Sequence, residues 1–155
     1  MKGREVDPVE ELLASINTAG RLYGLFGIGF GLLAFCFGDS LWGARAYDTA
    51  KLVPGAPQSW GALSALFGVM VICGPLLGKR YGWRVSAAGS WLIGVWCYVF
   101  AIFFAVDALK RQEAFGLSGA WLFSILGTLA INRGRVGTRL GRLAEHPIHD
   151  DIEEW

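Results

Sequence analysis

Hydrophobic and polar positions are segregated along this chain into long apolar blocks separated by short charged or turn-rich segments. Four blocks carry no charged residue: Leu22–Gly38, Trp60–Gly78, Val85–Val106 and Ala114–Asn132, of 17, 19, 22 and 19 residues. A bilayer core ~30 Å thick takes about 20 helical residues at a rise of ~1.5 Å each. Each block falls in or near that length, so the pattern predicts four membrane-spanning helices, over residues 20–38, 60–78, 85–106 and 114–132. The predicted fold class is all-α: an integral membrane four-helix bundle, preceded by an amphipathic helix within residues 1–19 and followed by a tail over residues 133–155.

The N-terminal helix is read from its start signals. Asp7 suits an N-cap, Pro8 the first helical position, and Glu10 completes a D-x-x-E capping box. Val9, Leu12, Leu13 and Ile16 then follow at helical spacing, with Glu10, Glu11 and Asn17 on other faces. Such a helix lies at the membrane interface and leads into the first span, where Arg21 reaches back to the headgroups. A cap packed on the bundle is the other reading. Acids at Glu5, Asp7, Glu10 and Glu11 do not fit a cleaved secretory leader, so none is expected.

The first connection, Asp39–Ser59, is the longest and contains the turn-rich Val53-Pro54-Gly55-Ala56-Pro57. Rings that are apolar with one polar handle favour the membrane–water boundary. Trp42, Tyr47, Trp60, Tyr81 and Trp83 are therefore expected as interfacial anchors, with the first connection lying flat on the bilayer. The short Lys79–Arg84 segment forces spans two and three into an antiparallel hairpin, and Asp107–Glu113 is also short. Pro75 predicts a frayed or kinked last turn in span two.

The tail changes sign along its length. Arg133, Arg135, Arg139 and Arg142 come first, interleaved with Val136, Leu140 and Leu143, and predict a short basic helix on anionic lipid; Gly134, Gly137 and Gly141 weaken it. Acidic residues follow from Glu145 onward. His146 and His149 flank Pro147, which breaks the register that would align two imidazoles on a metal, so this segment is read as a solvated acidic tail.

Charge sets the expected orientation. With four spans, one side holds Lys2, Arg4, Arg21, Lys79, Arg80, Arg84, Arg133, Arg135, Arg139 and Arg142; the other holds Arg45, Lys51, Lys110 and Arg111. Cytoplasmic loops carry the excess of Lys and Arg. The expected location is the cytoplasmic (inner) membrane with both termini in the cytoplasm, and Lys79, Arg80 and Arg84 decide most.

Composition agrees: 54% hydrophobic and 17% charged residues are too apolar for a soluble domain of this size, and a net charge of +1 speaks against a nucleic-acid partner. Cys36, Cys73 and Cys97 all lie inside apolar blocks without a CxxC pair or a nearby His, and are read as small hydrophobes.

Span one carries a stripe of small residues, Gly20, Gly24, Gly27, Gly31, Ala34 and Gly38, at spacings that keep one helical face. Small faces let helix backbones approach closely. Gly61, Ala65 and Gly68 echo it in span two, as do Ala87, Ser90, Gly94, Cys97 and Ala101 in span three and Gly116, Ala120, Ser124 and Gly127 in span four. These faces serve packing inside one bundle or between copies, and the sequence leaves both open. Ser59–Gly68 also resembles Ser118–Gly127, as two tandem hairpins would.

No ionisable residue stands deep in any block, which argues against a pump or ion-coupled transporter. HExxH, GxSxG, P-loop and paired-His patterns are missing. No catalytic, cofactor-binding or metal-binding residue is assigned, and no enzymatic activity is expected.

The passage 46–61, with its Tyr47, its Val53-Pro54-Gly55-Ala56-Pro57 and its Trp60-Gly61, followed by Ala62-Leu63-Ser64-Ala65-Leu66-Phe67-Gly68, resembles a loose group of small four-span membrane proteins encoded by phages and prophages of actinobacteria. The likeness covers residues 20–130 in architecture and the quoted passage in motif. Some of the group are holin-like, so it implies membrane permeabilisation during lysis, and it transfers no catalytic residue. The alternative is a non-enzymatic interaction protein, such as a superinfection-exclusion factor or an accessory subunit. Expected partners are the lipid bilayer, further copies of the chain, and a protein bound through the first connection or the C-terminal tail.

Overall fold

Apolar blocks bounded by glycine, proline and charge become helices. A computed structural model describes residues 8–43, 47–78, 81–112 and 114–145. Four long helices run through them: α1 (Pro8–Leu41), α2 (Gln58–Cys73), α3 (Gly82–Arg111) and α4 (Ala114–Glu145). Short 3-10 turns occupy Ala50–Leu52 and Gly74–Leu77, and no strand occurs among the described residues. Among the described residues three stretches are long and apolar enough to cross a membrane: Ala14–Gly38, Gln58–Leu77 and Gly82–Arg111, with mean hydropathies of 1.5, 1.9 and 2.2.

Two boundaries differ from those read in the sequence. The N-terminal helix and the first span run together without a break at residues 19 and 20, because α1 is one helix of 34 residues that departs from helical geometry only at Phe37 (φ −121°, ψ 21°). No proline interrupts it after Pro8. Asp7 lies outside the described residues, as do the side chains of Val9, Leu12 and Leu13. The predicted separate tail from residue 133 is instead the continuation of α4 through all four arginines to Glu145. One of its glycines is a contact point: a Cβ at Gly134 would stand 2.7 Å from Cδ1 of Trp91. Close packing there offsets the ~1 kcal/mol helix penalty of that glycine. Residues 146–155, with His146 and His149, lie outside the described residues.

Pro75 ends α2 at Cys73, and the chain tightens into the 3-10 turn that follows. Gly78 then turns the chain at φ +87°, a conformation open to glycine.

The helices pair as two antiparallel hairpins, α1 with α2 and α3 with α4, joined through an α2–α3 contact. Small residues bring the backbones together. In the first hairpin a Cβ at Gly61 would stand 2.7 Å from the Gly31 carbonyl, and one at Gly68 would stand 2.6 Å from that of Gly24. In the second, Gly94 and Gly127 each face the other's carbonyl, at 3.1 Å for an added Cβ.

Aromatic rings fill the space between the hairpins. Phe100 of α3 is fully buried, with Trp96 at 4.3 Å between centroids, Trp60 at 5.2 Å, Phe123 at 5.7 Å and Trp42 at 5.8 Å. Phe30 of α1 meets Trp96, Phe100 and Phe123 edge-on. The outward faces carry exposed leucines, among them Leu22, Leu25, Leu32 and Leu33 on α1 and Leu117, Leu122 and Leu129 on α4.

Candidate functional site

Chemistry in an apolar bundle is confined to the few polar groups it encloses; Ser64 lies mid-hairpin, and the charged ones gather at its two ends. At one end the first connection meets the C-terminus of α3. There Asp107 is only 4% exposed and accepts two hydrogen bonds from Thr49, one from the backbone N–H at 3.0 Å and one from the hydroxyl. Beside it Asp48 pairs with Arg111 and, at 3.3 Å, with Lys51. The indole of Trp60 donates to the Ala50 carbonyl at 3.2 Å. The ring of Trp42 stacks on Tyr47, 5.1 Å between centroids and 11° between planes.

These contacts tie the first connection to the bundle itself. The described part of the segment folds over the end of the bundle as a cap, because Asp107 offers a buried carboxylate and Phe100 and Phe104 offer ring faces. Trp42, expected as an interfacial anchor, is 1% exposed and plugs the core. Tyr47 and Trp60 are half-buried in the same cluster, and burial raises the Tyr47 phenol above its ordinary pKa. Trp83 is half-buried; Tyr81 alone among the expected anchors stands exposed.

The other end is built around Arg133. Its guanidinium donates to the Ser86 carbonyl at 3.3 Å, to the Ser86 hydroxyl at 3.0 Å, to the Ser90 hydroxyl and, at 3.5 Å, to the Ile16 carbonyl. Ser86 in turn donates to the Val71 carbonyl at 3.0 Å. One side chain of α4 thereby ties α1 and α3, and through Ser86 also α2. Among the described residues the partners of Arg133 are neutral dipoles, and no carboxylate pairs with it. The two hydroxyls and the guanidinium thus hold helices together.

Arg133 was expected on the surface as a topology-setting charge, one residue beyond the last apolar block. It lies half-buried because a helical side chain leans toward its helix's N-terminus, here back into the bundle. The legible signal was Ser86 and Ser90, one turn apart on α3, opposite Gly20 on α1. Asp107 was missed likewise, one residue past its block.

The stripe on α1 divides by partner. Gly24, Gly27 and Gly31 pack on α2, Gly20 makes room for the Arg133 guanidinium, and Gly38 faces Pro57. Ala34 is fully buried. Of the topology-setting residues, Arg84, Arg135, Arg139 and Arg142 are exposed, and Arg135 lies 5.7 Å over the ring of Trp91. Lys79 and Arg80 lie outside the described residues. Comparison with protein-family models, with curated proteins and with solved structures gives no match.

Proposed function

We propose that this chain is a four-span integral membrane protein that acts by binding rather than by catalysis, as an interaction or accessory protein of the cytoplasmic membrane. The observation that carries this reading is the use of the α1 glycine face inside the chain: Gly24, Gly27 and Gly31 are filled by α2 of the same molecule. The face is therefore not free to join copies. What remains for partners is the capped end, with Asp48, Lys51, Lys110 and Arg111, and the basic end of α3 and α4.

Packing supports a fourth span. α4 lies antiparallel along α3, and their connection has no room for a detour. If α3 crosses the bilayer, α4 must return through it. Its exposed Leu117, Trp121, Leu122, Ile125 and Leu129 then face lipid. The excess of arginine at the end holding the α2–α3 turn and the C-terminal part of α4 supports placing both termini in the cytoplasm.

A holin-like role is the second reading. The likeness of residues 46–68 to phage-encoded four-span proteins supports it, together with uncharged spans above a basic end. Induced expression with a membrane-potential dye and a co-expressed endolysin sorts the two. Steady growth, intact potential and no endolysin release fit the binding protein. Delayed depolarisation followed by lysis would put the holin-like reading first.

A further inference from the structure

A groove of about 370 Å³ runs between α3 and α4 at the basic end. Ala87 and Ala88 of α3 and Gly137 and Gly141 of α4 form its floor, Trp91 one wall, and Arg142 its rim. A hollow of about 240 Å³ adjoins it, lined by Trp91, Arg135 and Arg139 among others. The glycines of the floor are not demanded by helix contact. A Cβ at Gly137 would stand 3.4 Å from that of Ala87, and one at Gly141 would stand 3.4 Å from that of Trp83, both ordinary contacts. Their missing side chains leave the groove open.

Arg142 stands where groove and hollow meet, Arg135 and Arg139 line the hollow beside it, all three are exposed, and among the described residues no carboxylate pairs with them. Arg135 lies over Trp91, which brings its charge to the junction of groove and hollow. The result is a hydrocarbon-lined trough with a rim of cations. A free anion would leave the trough wet, and a zwitterionic lipid would leave the arginines without a net counter-charge. The groove also sits where the apolar blocks give way to arginine, the level of headgroups for an embedded bundle.

We propose that this groove binds one anionic phospholipid, with its phosphodiester on Arg139 and Arg142, Arg135 alongside, and one acyl chain along the alanine–glycine floor. The proposal rests on the four-span reading above. Native mass spectrometry of the full chain in detergent, titrated with phosphatidylglycerol and with phosphatidylcholine of the same acyl chains, tests it. A one-lipid complex should form with phosphatidylglycerol at a concentration at least about tenfold lower. Arg139→Gln/Arg142→Gln should weaken it about 30-fold, at about fivefold for each near-surface cation. Ala88→Leu leaves every charge in place at an exposed helical position and should also abolish the complex, by filling the floor. Thermal unfolding confirms that each variant is folded.

Equal affinity for the two lipids, no loss in the arginine variant, or wild-type binding by Ala88→Leu would each overturn the proposal. Displacement of the lipid by equimolar inorganic phosphate would reassign the site to a free anion. Extraction of the wild-type chain from membranes by alkaline carbonate would sink the four-span reading and the groove with it. Retention in the membrane without a preference for phosphatidylglycerol would sink the groove alone.

Discussion

In a regular helix the carbonyl of Val71 accepts a hydrogen bond from the amide four residues on, and Pro75 has no N–H to give. The hydroxyl of Ser86 supplies the missing donor from α3 at 3.0 Å. It can approach because Gly74 has no side chain; a Cβ there would stand 2.6 Å from the Ser86 backbone nitrogen. The same hydroxyl accepts from Arg133 at 3.0 Å. Ser86→Ala therefore leaves a buried carbonyl and part of a guanidinium without partners, and should lower stability by about 1–3 kcal/mol. Ser124 is the control. Its hydroxyl bonds only to Ala120 of its own helix, at 2.8 Å, so Ser124→Ala should cost less than about 0.5 kcal/mol. Thermal unfolding in detergent compares them, and equal losses would mean that the Ser86 junction contributes nothing of its own.

At the scale of elements, the first hairpin is a zipper of glycines. Gly27 sits at its centre, where an added Cβ would stand 2.9 Å from the Ser64 carbonyl and 3.1 Å from the Gly68 Cα, while Ser64 donates to the Gly27 carbonyl at 2.9 Å. Two turns of α1 cannot move away without breaking contacts above and below. Gly29 points outward, with nothing within 4 Å of an added Cβ. Gly27→Ile should thus cost about 1–3 kcal/mol by overpacking, whereas Gly29→Ile should be neutral or mildly stabilising, since isoleucine is the better helix former. Melting temperatures of the two variants in the same detergent read the difference, and matching values would make the stripe incidental. The stripe itself was legible because its spacing keeps one helical face. Its partner was not, since period alone does not say whether the facing small residues belong to the same molecule. The second hairpin repeats the device with Gly94 against Gly127, and Gly68 and Gly127 occupy matching places in the two similar segments Ser59–Gly68 and Ser118–Gly127. Where the first hairpin has Ser64, the second has Phe123, which supplies a ring to the core.

For the whole molecule, block length and turn chemistry were enough to place four helices and their antiparallel order. They were not enough to place Arg133, Asp107 or Trp42, whose positions depend on side-chain direction and on a connection folding back over the bundle. Counting charges at block ends treats each as standing outside the bundle, and two of them point in. The proposed orientation survives this change, because Arg84, Arg135, Arg139 and Arg142 remain exposed at one end. Exposed positions at the two ends test it. Thr49 is engaged with Asp107 and Gly82 is buried, so a probe at either would report burial as much as sidedness. Leu52 is 79% exposed at the capped end, and Tyr81 is 55% exposed at the basic end. In a chain whose Cys36, Cys73 and Cys97 are replaced by Ala, Leu52→Cys should react with an impermeant thiol reagent in intact cells. Tyr81→Cys should react only after permeabilisation. The reverse pattern would invert the molecule in the membrane, and labelling of both in intact cells would mean that α2, which lies between them, does not cross.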